Sequence, residues 1–352
     1  MRKITRRQFL IGAGALAAGS VGVAACLSGK RREERTSQGT GALPPVEPPG
    51  PWSVEARYYE FLAGEGDGAL VRCALCPHGC ILTNGHRGRC RTRENRGGRL
   101  YSMAYGNPCA VHVDPIKKKP FYHFLPTAAT FSIATAGCPL RCLYCQNWQI
   151  SQFPPEETQN IDLPPEAVVQ SAQQSDAPVI AYTYSEPTAF YEYMLDTARL
   201  GREAGLYNVV ISAGFINPDP LRELCRAVDA IKIVLKGYYK SFYKKVYRAH
   251  LQPMLDAIRT IYEAGVHLEI VNLVVPTLND SLDQLRALSR WVAQEISPDI
   301  PFHFSRFQPQ YKLTNLPPTP IETLEQTRQI ALEEGVRFVY VGNVPGHPAG
   351  NT

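Results

Sequence analysis

The sequence predicts an α/β fold: a partial (β/α) barrel over residues 126–352, preceded by a small four-cysteine knuckle region over residues 52–125. Three observations carry this. Short runs rich in Val, Ile, Tyr and Phe alternate with helical stretches six times after residue 130, the pattern of a parallel sheet covered by helices. The chain has 352 residues, 44% hydrophobic and 20% charged, enough to bury one large core. Its ten cysteines are too sparse for a small disulfide scaffold and too clustered for chance. This composition excludes a disordered, collagen-like or multi-spanning membrane chain.

At the N-terminus, Arg2, Lys3, Arg6 and Arg7 precede an uncharged, Ala- and Gly-rich stretch from Gln8 to Gly29. A charged head followed by an apolar stretch and small residues outlines an export signal. Thr5-Arg6-Arg7-Gln8-Phe9-Leu10 resembles a twin-arginine signal, an address read by a receptor. Val23-Ala24-Ala25-Cys26 resembles a lipoprotein box, in which Cys26 is lipidated after cleavage; the plain alternative is a Cys that happens to follow small residues. Residues 1–29 are therefore expected to direct export through the twin-arginine route and to leave the protein attached to the membrane. The alternative is a simple N-terminal anchor on a cytoplasmic domain. Residues 30–51, a charge run and then a Gly/Pro-rich stretch, read as a linker. Residues 1–35 hold eight basic and two acidic side chains, against 29 and 30 in the remainder. The net charge of +5 thus belongs to signal and linker and gives no support for nucleic acid as a partner. Membrane contact is expected only through the N-terminus.

Cys73, Cys76, Cys80 and Cys90 follow, with Pro77, Gly79, Gly85 and Gly88 supplying turns between them. Two cysteines two residues apart on a turn can aim both sulfurs at one ion, and a second pair closes the site. The spacing predicts a second metal site, zinc or iron–sulfur, with His78 and His86 inside the loop. Two disulfides are the alternative in an exported protein.

The barrel begins with a buried strand at 131–136. Further strands are expected at 179–184, 208–213, 229–235, 267–275, 301–307 and 337–341. Helices are expected near 165–175, 188–204, 219–227, 251–264, 281–296 and 320–334, and Gly205 ends the second of these. Ligands of such a barrel sit at the C-terminal ends of its strands. There, directly after the first strand and Gly137, come Cys138, Cys142 and Cys145. Three cysteines on one short loop can ligate three irons of a [4Fe–4S] cluster and leave the fourth open; a zinc site lacking one ligand is the alternative. Cys109 and Cys225 stand alone and read as small buried hydrophobes.

The triplet spacing resembles that of radical S-adenosylmethionine (SAM) enzymes. Neighbouring motifs narrow the resemblance: Asp114-Pro115-Ile116-Lys117-Lys118-Lys119-Pro120, Tyr182-Thr183-Tyr184-Ser185-Glu186-Pro187, His303-Phe304-Ser305-Arg306 and Val339-Tyr340-Val341-Gly342-Asn343. Together they resemble the radical SAM protein of the AmmeMemoRadiSam system, a relative of pyruvate formate-lyase activating enzyme, over roughly residues 52–352. The resemblance implies a radical SAM barrel with a [4Fe–4S] cluster on Cys138, Cys142 and Cys145. It implies that Tyr144 packs near the adenine of SAM, and that Ser185, Glu186 and Lys236 contribute to the SAM site. Glu186 read by itself is also an ordinary carboxylate at a helix N-terminus. His303 and Arg306 are candidates for substrate or the SAM carboxylate, although a strand His is often structural. Val234 and Ala213 stand where relatives carry Asp and Asn. A cation site that depends on that Asp is not expected here.

The function implied is reductive cleavage of SAM to a 5′-deoxyadenosyl radical, which abstracts hydrogen from a small molecule or, as in glycyl-radical activases, from a partner protein. A low-potential electron donor is required. Memo-type and AMMECR-type proteins are partners carried by the resemblance alone. The rival reading is an exported, membrane-tethered iron–sulfur or electron-transfer protein without radical SAM turnover, motivated by the export signal and by Val234 and Ala213.

Overall fold

The computed structural model describes residues 48–351, which belong to one compact unit. The expected export signal, Cys26 and the expected linker up to residue 47 lie outside the described residues. Among the described residues no helix is long and apolar enough to cross a membrane.

Six short strands come first: β1 (Val54–Glu55), β2 (Tyr59–Ala63), β3 (Leu70–Cys73), β4 (Ile81–Thr83), β5 (Arg93–Arg96) and β6 (Arg99–Ser102). They form two small antiparallel sheets, ordered β2-β3-β4 and β1-β6-β5. β7 (Ala110–Pro115) then pairs antiparallel with β8 (Ala129–Ala134). The boundary expected at 125/126 therefore falls between two strands of one sheet.

From β8 the chain alternates as the periodicity predicts. After α1 (Trp148–Ser151) and α2 (Pro165–Gln174) come β9 (Val179–Tyr182), α3 (Tyr191–Glu203), β10 (Tyr207–Ser212), α4 (Pro218–Cys225) and β11 (Ala230–Val234). A helical turn, α5 (Lys240–Phe242), runs into a π-helical turn at Tyr243–Tyr247. Then follow α6 (Gln252–Glu263), β12 (His267–Val274), α7 (Leu282–Trp291), β13 (Phe302–Arg306), α8 (Ile321–Glu333) and β14 (Val339–Gly342). β8 to β14 lie side by side in chain order, all parallel. Seven parallel strands with helical crossovers make a partial barrel. Every predicted barrel strand and helix is present. Gly205 (φ +78°) closes α3 in the left-handed conformation, as its position suggests.

β7 and β14 are the sheet's two edges. The segment after β7, residues 116–125, runs from one to the other. Tyr122 Oη donates to the Gly350 carbonyl at 3.0 Å, and His123 Nε2 meets Tyr340 Oη at 2.7 Å. Its main chain is fastened to β12: the amides of Tyr122 and His123 both donate to the buried Glu269 carboxylate, at 3.0 and 2.8 Å. This segment closes the end of the barrel where the parallel strands begin, and leaves the C-terminal end for the cysteine loop.

Candidate active site at the cysteine loop

The loop after β8 is clamped on several sides. Gly137 has φ +88°, and a Cβ there would lie 2.5 Å from the Cys90 carbonyl oxygen, so only glycine fits. The Cys138 amide donates to that same carbonyl at 3.1 Å. The amides of Arg141 and Leu143 donate to the carbonyls of Tyr247 and Val246, at 3.1 and 3.3 Å. The π-helical turn thus supplies acceptors at the site, a common place for such turns.

Cys138, Cys142, Tyr144 and Cys145 line one cavity of about 420 Å³, within the range that holds a small-molecule ligand. Cys138 is buried and the other two thiols are half-buried; all are free. Burial pushes the Cys138 thiol up, and pushes Cys142 to about 12 although Lys236 pulls it back. Cys145 Sγ lies 3.1 Å from Ser151 Oγ.

Glu186 enters from the end of β9. Its carboxylate accepts from Ser212 Oγ (2.5 Å), the Ala213 amide (2.8 Å) and Thr188 Oγ1 (3.0 Å). Burial raises its pKa, and these three donors oppose the rise. Ser185 and Lys236 line the same cavity, as does Val234. The Ser185 hydroxyl and the Tyr144 hydroxyl are buried with no hydrogen-bond partner among the described residues. The Tyr144 ring is held edge-on by Tyr247 and Phe307, each 5.6 Å away.

Two expected residues are elsewhere. His303 is buried away from the cavity, with Nε2 2.7 Å from Glu269 and its ring stacked on Tyr340. Arg306 Nε donates to the Thr319 carbonyl at 2.8 Å and also does not line the cavity. Their strand contributes Ser305 instead, and the end of β14 contributes Asn343. Sequence reasoning missed these two, together with Ser212, Lys119 and Lys232 in the same wall. The signal available was the strand register, since every second residue of β11 and β12 faces inward.

The four knuckle cysteines lie together beside this loop. Cys73, Cys76, Cys80 and Cys90 line a void of about 20 Å³, all free thiols. Among the described residues no three His, Cys, Asp or Glu side chains converge on a single-ion site. The knuckle also braces the triplet: His78 Nε2 meets the Pro139 carbonyl at 3.0 Å, and Arg141 donates to the Arg89 carbonyl at 2.5 Å. Cys109 is half-buried and Cys225 is buried at the end of α4.

A [4Fe–4S] cluster and SAM fit the residues present. Three free thiols, one buried carboxylate and two partnerless hydroxyls share one ligand-sized cavity at the C-terminal end of the strands.

The sequence profile of the radical SAM superfamily matches residues 132–289. An uncharacterized protein of Methanocaldococcus jannaschii is 48% identical over 298 residues, covering 85% of this chain and 87% of that one. The pyruvate formate-lyase-activating enzyme of Clostridium pasteurianum is 22% identical over 216 residues, covering 56% and 86%. Among solved structures, a radical SAM methyltransferase from Sphaerobacter thermophilus superposes with TM-score 0.48 at 14% identity, covering 82% of this chain and 76% of that one. The matched span carries the cysteine triplet and strands β9 to β12 of the cavity wall: the chain contains a radical SAM domain, is of one family with the M. jannaschii protein, and is a radical SAM enzyme.

Proposed function

We propose that Cys138, Cys142 and Cys145 hold a [4Fe–4S] cluster, and that SAM lies in the adjoining cavity against Tyr144, Ser185, Glu186 and Lys236. The observation that carries this is the shared wall: the three thiols, the Glu186 carboxylate and the partnerless Ser185 hydroxyl face one cavity. When bound, cluster and SAM supply one-electron cleavage of SAM to a 5′-deoxyadenosyl radical, which abstracts hydrogen from a substrate. The protein's part is positional. Glu186 offers a charge-assisted hydrogen bond to the amino group of SAM. Tyr144 offers an aromatic surface for the adenine, and the barrel wall keeps water from a radical that attacks whatever is nearest. Neither the comparisons nor the make-up of the site supports the electron-transfer alternative.

The electron comes from a low-potential donor. Likeness to an activating enzyme supports hydrogen abstraction from a partner protein, and likeness to the AmmeMemoRadiSam system supports Memo-type and AMMECR-type proteins as partners. The spacing of Cys73, Cys76, Cys80 and Cys90 and their place around one void support a second metal there, the thiols converging on it as it binds; metal analysis of the purified chain tests it, with one additional zinc, or iron beyond four atoms, as the expected result.

The test of the enzyme reading is anaerobic reconstitution followed by SAM and dithionite. The expected result is 5′-deoxyadenosine and methionine in equal amounts. A fully reconstituted cluster that yields neither overturns it.

A further inference from the structure

The run Asp114-Pro115-Ile116-Lys117-Lys118-Lys119-Pro120 has no part in the site just proposed, yet it meets it. Lys118, Lys119 and Pro120 line the same cavity as the cysteine triplet. Lys232 and Lys236 line it from β11 and just beyond. Four lysines therefore line the cavity with one acidic residue, Glu186.

Their charges are not equally answered. Lys119 is buried, and its Nζ is paired with Asp114 at 2.7 Å and donates to Tyr184 Oη at 3.0 Å. Asp114 is fixed in turn by Thr130 and Ser132. Lys118 is exposed at the rim, with its Nζ 3.7 Å from Asp114. Lys232 is different. It is 4% exposed, and its Nζ donates only to the Lys119 carbonyl. Among the described residues it forms no ion pair, while Glu269, paired with it in register on β12, is occupied by His267, His303 and the amides of Tyr122 and His123. Burial holds the Lys232 ammonium well below the usual lysine range, and the like charges of Lys236 and Lys119 push the same way while Glu269 opposes them. A buried amine with spare donors in the wall of an open cavity takes up a proton, and with it a charge, when an anion binds beside it, so it is a site for an anion.

We propose that Lys232, with Lys119 beside it, anchors a carboxylate or phosphate group of a small-molecule substrate. Lys232 lies four residues before Lys236, toward the N-terminal end of its strand. Anchoring there presents the rest of the molecule toward the cysteine loop. The proposal rests on the radical SAM reading of the same cavity and, in place of the partner protein that likeness to an activating enzyme supports, gives its substrate a chemical class: a small anion.

The experiment uses the full chain with its cluster reconstituted, titrated calorimetrically with inorganic phosphate and, separately, with succinate, each with and without SAM. One of the two anions is expected to bind with one-to-one stoichiometry and to bind with SAM present. Lys232→Met and Lys232→Gln are expected to weaken that binding at least tenfold, Lys232→Arg to retain most of it, and Lys245→Met, on the exposed side of the π-helical turn, to leave it unchanged. The arm that binds separates phosphate from carboxylate. Three results overturn the inference: neither anion binds, the neutral variants bind like wild type, or the anion displaces SAM, which would assign these lysines to the SAM carboxylate. 5′-Deoxyadenosine release from the same wild-type preparation separates the two claims. Release without anion binding removes only the substrate class; anion binding without release removes only the radical SAM reading.

Discussion

Cys142 and Glu186 sit in the same cavity wall but bear on different steps. Losing one of three cluster thiols leaves two, too few to hold the cluster by the site's own logic. Cys142→Ala is expected to abolish both the cluster absorbance and 5′-deoxyadenosine formation. Cys76→Ala, in the knuckle, is expected to lower thermal stability and still allow SAM cleavage. Glu186→Gln keeps the shape and most hydrogen bonds but removes the charge opposite an amino group. A charged hydrogen bond contributes about 1.5–3 kcal/mol. The KM for SAM is therefore expected to rise about ten- to hundredfold, with cluster content unchanged. The triplet and Glu186 were legible in the sequence because their chemistry is local: spacing on one loop, and position just after a strand. Ser212, Ser305, Asn343, Lys119 and Lys232 were not, because strand register and the return of residues 116–125 bring them together. His303 shows the converse. Its strand position suggested the site, but its partner is Glu269, a residue 34 positions away.

At the level of elements, the segment 116–125 and β12 act as one unit through Glu269. Burial alone would raise that carboxyl, but hydrogen bonds from His267 and His303, with the Tyr122 amide, hold it at about 2. The folded pKa lies below the unfolded value of about 4.3. The stabilisation is therefore present above pH ~4.3 and is lost as pH falls toward 2, on the order of 3 kcal/mol in total. Urea midpoints measured from pH 5 to pH 2 are expected to fall for the wild type. For Glu269→Gln they are expected to start lower and fall less steeply. Parallel slopes would show that Glu269 is not what secures this segment. The seven parallel strands were legible because buried strands read as apolar runs. β1 to β7 were not read as strands, being short and broken by Gly, Pro and Cys. β7 escaped because its alternation ends in a Pro and it pairs antiparallel.

For the whole molecule, charge and cysteines divide by region. The surplus of basic residues lies in residues 1–35, outside the described residues. The proposed twin-arginine export is tested by fractionating cells that carry Arg6→Lys and Arg7→Lys. The double variant is expected to leave the membrane fraction and accumulate in the cytoplasm, whereas unchanged membrane recovery would favour a plain anchor. The barrel carries the central claim, that the cysteine triplet presents a cluster with an open iron to SAM. The most direct measurement is the EPR spectrum of the reduced, reconstituted chain before and after SAM is added. A [4Fe–4S]⁺ signal whose g-values shift on adding SAM is expected in the wild type, and no such signal in Cys142→Ala. A strong cluster signal that SAM leaves unchanged would contradict it.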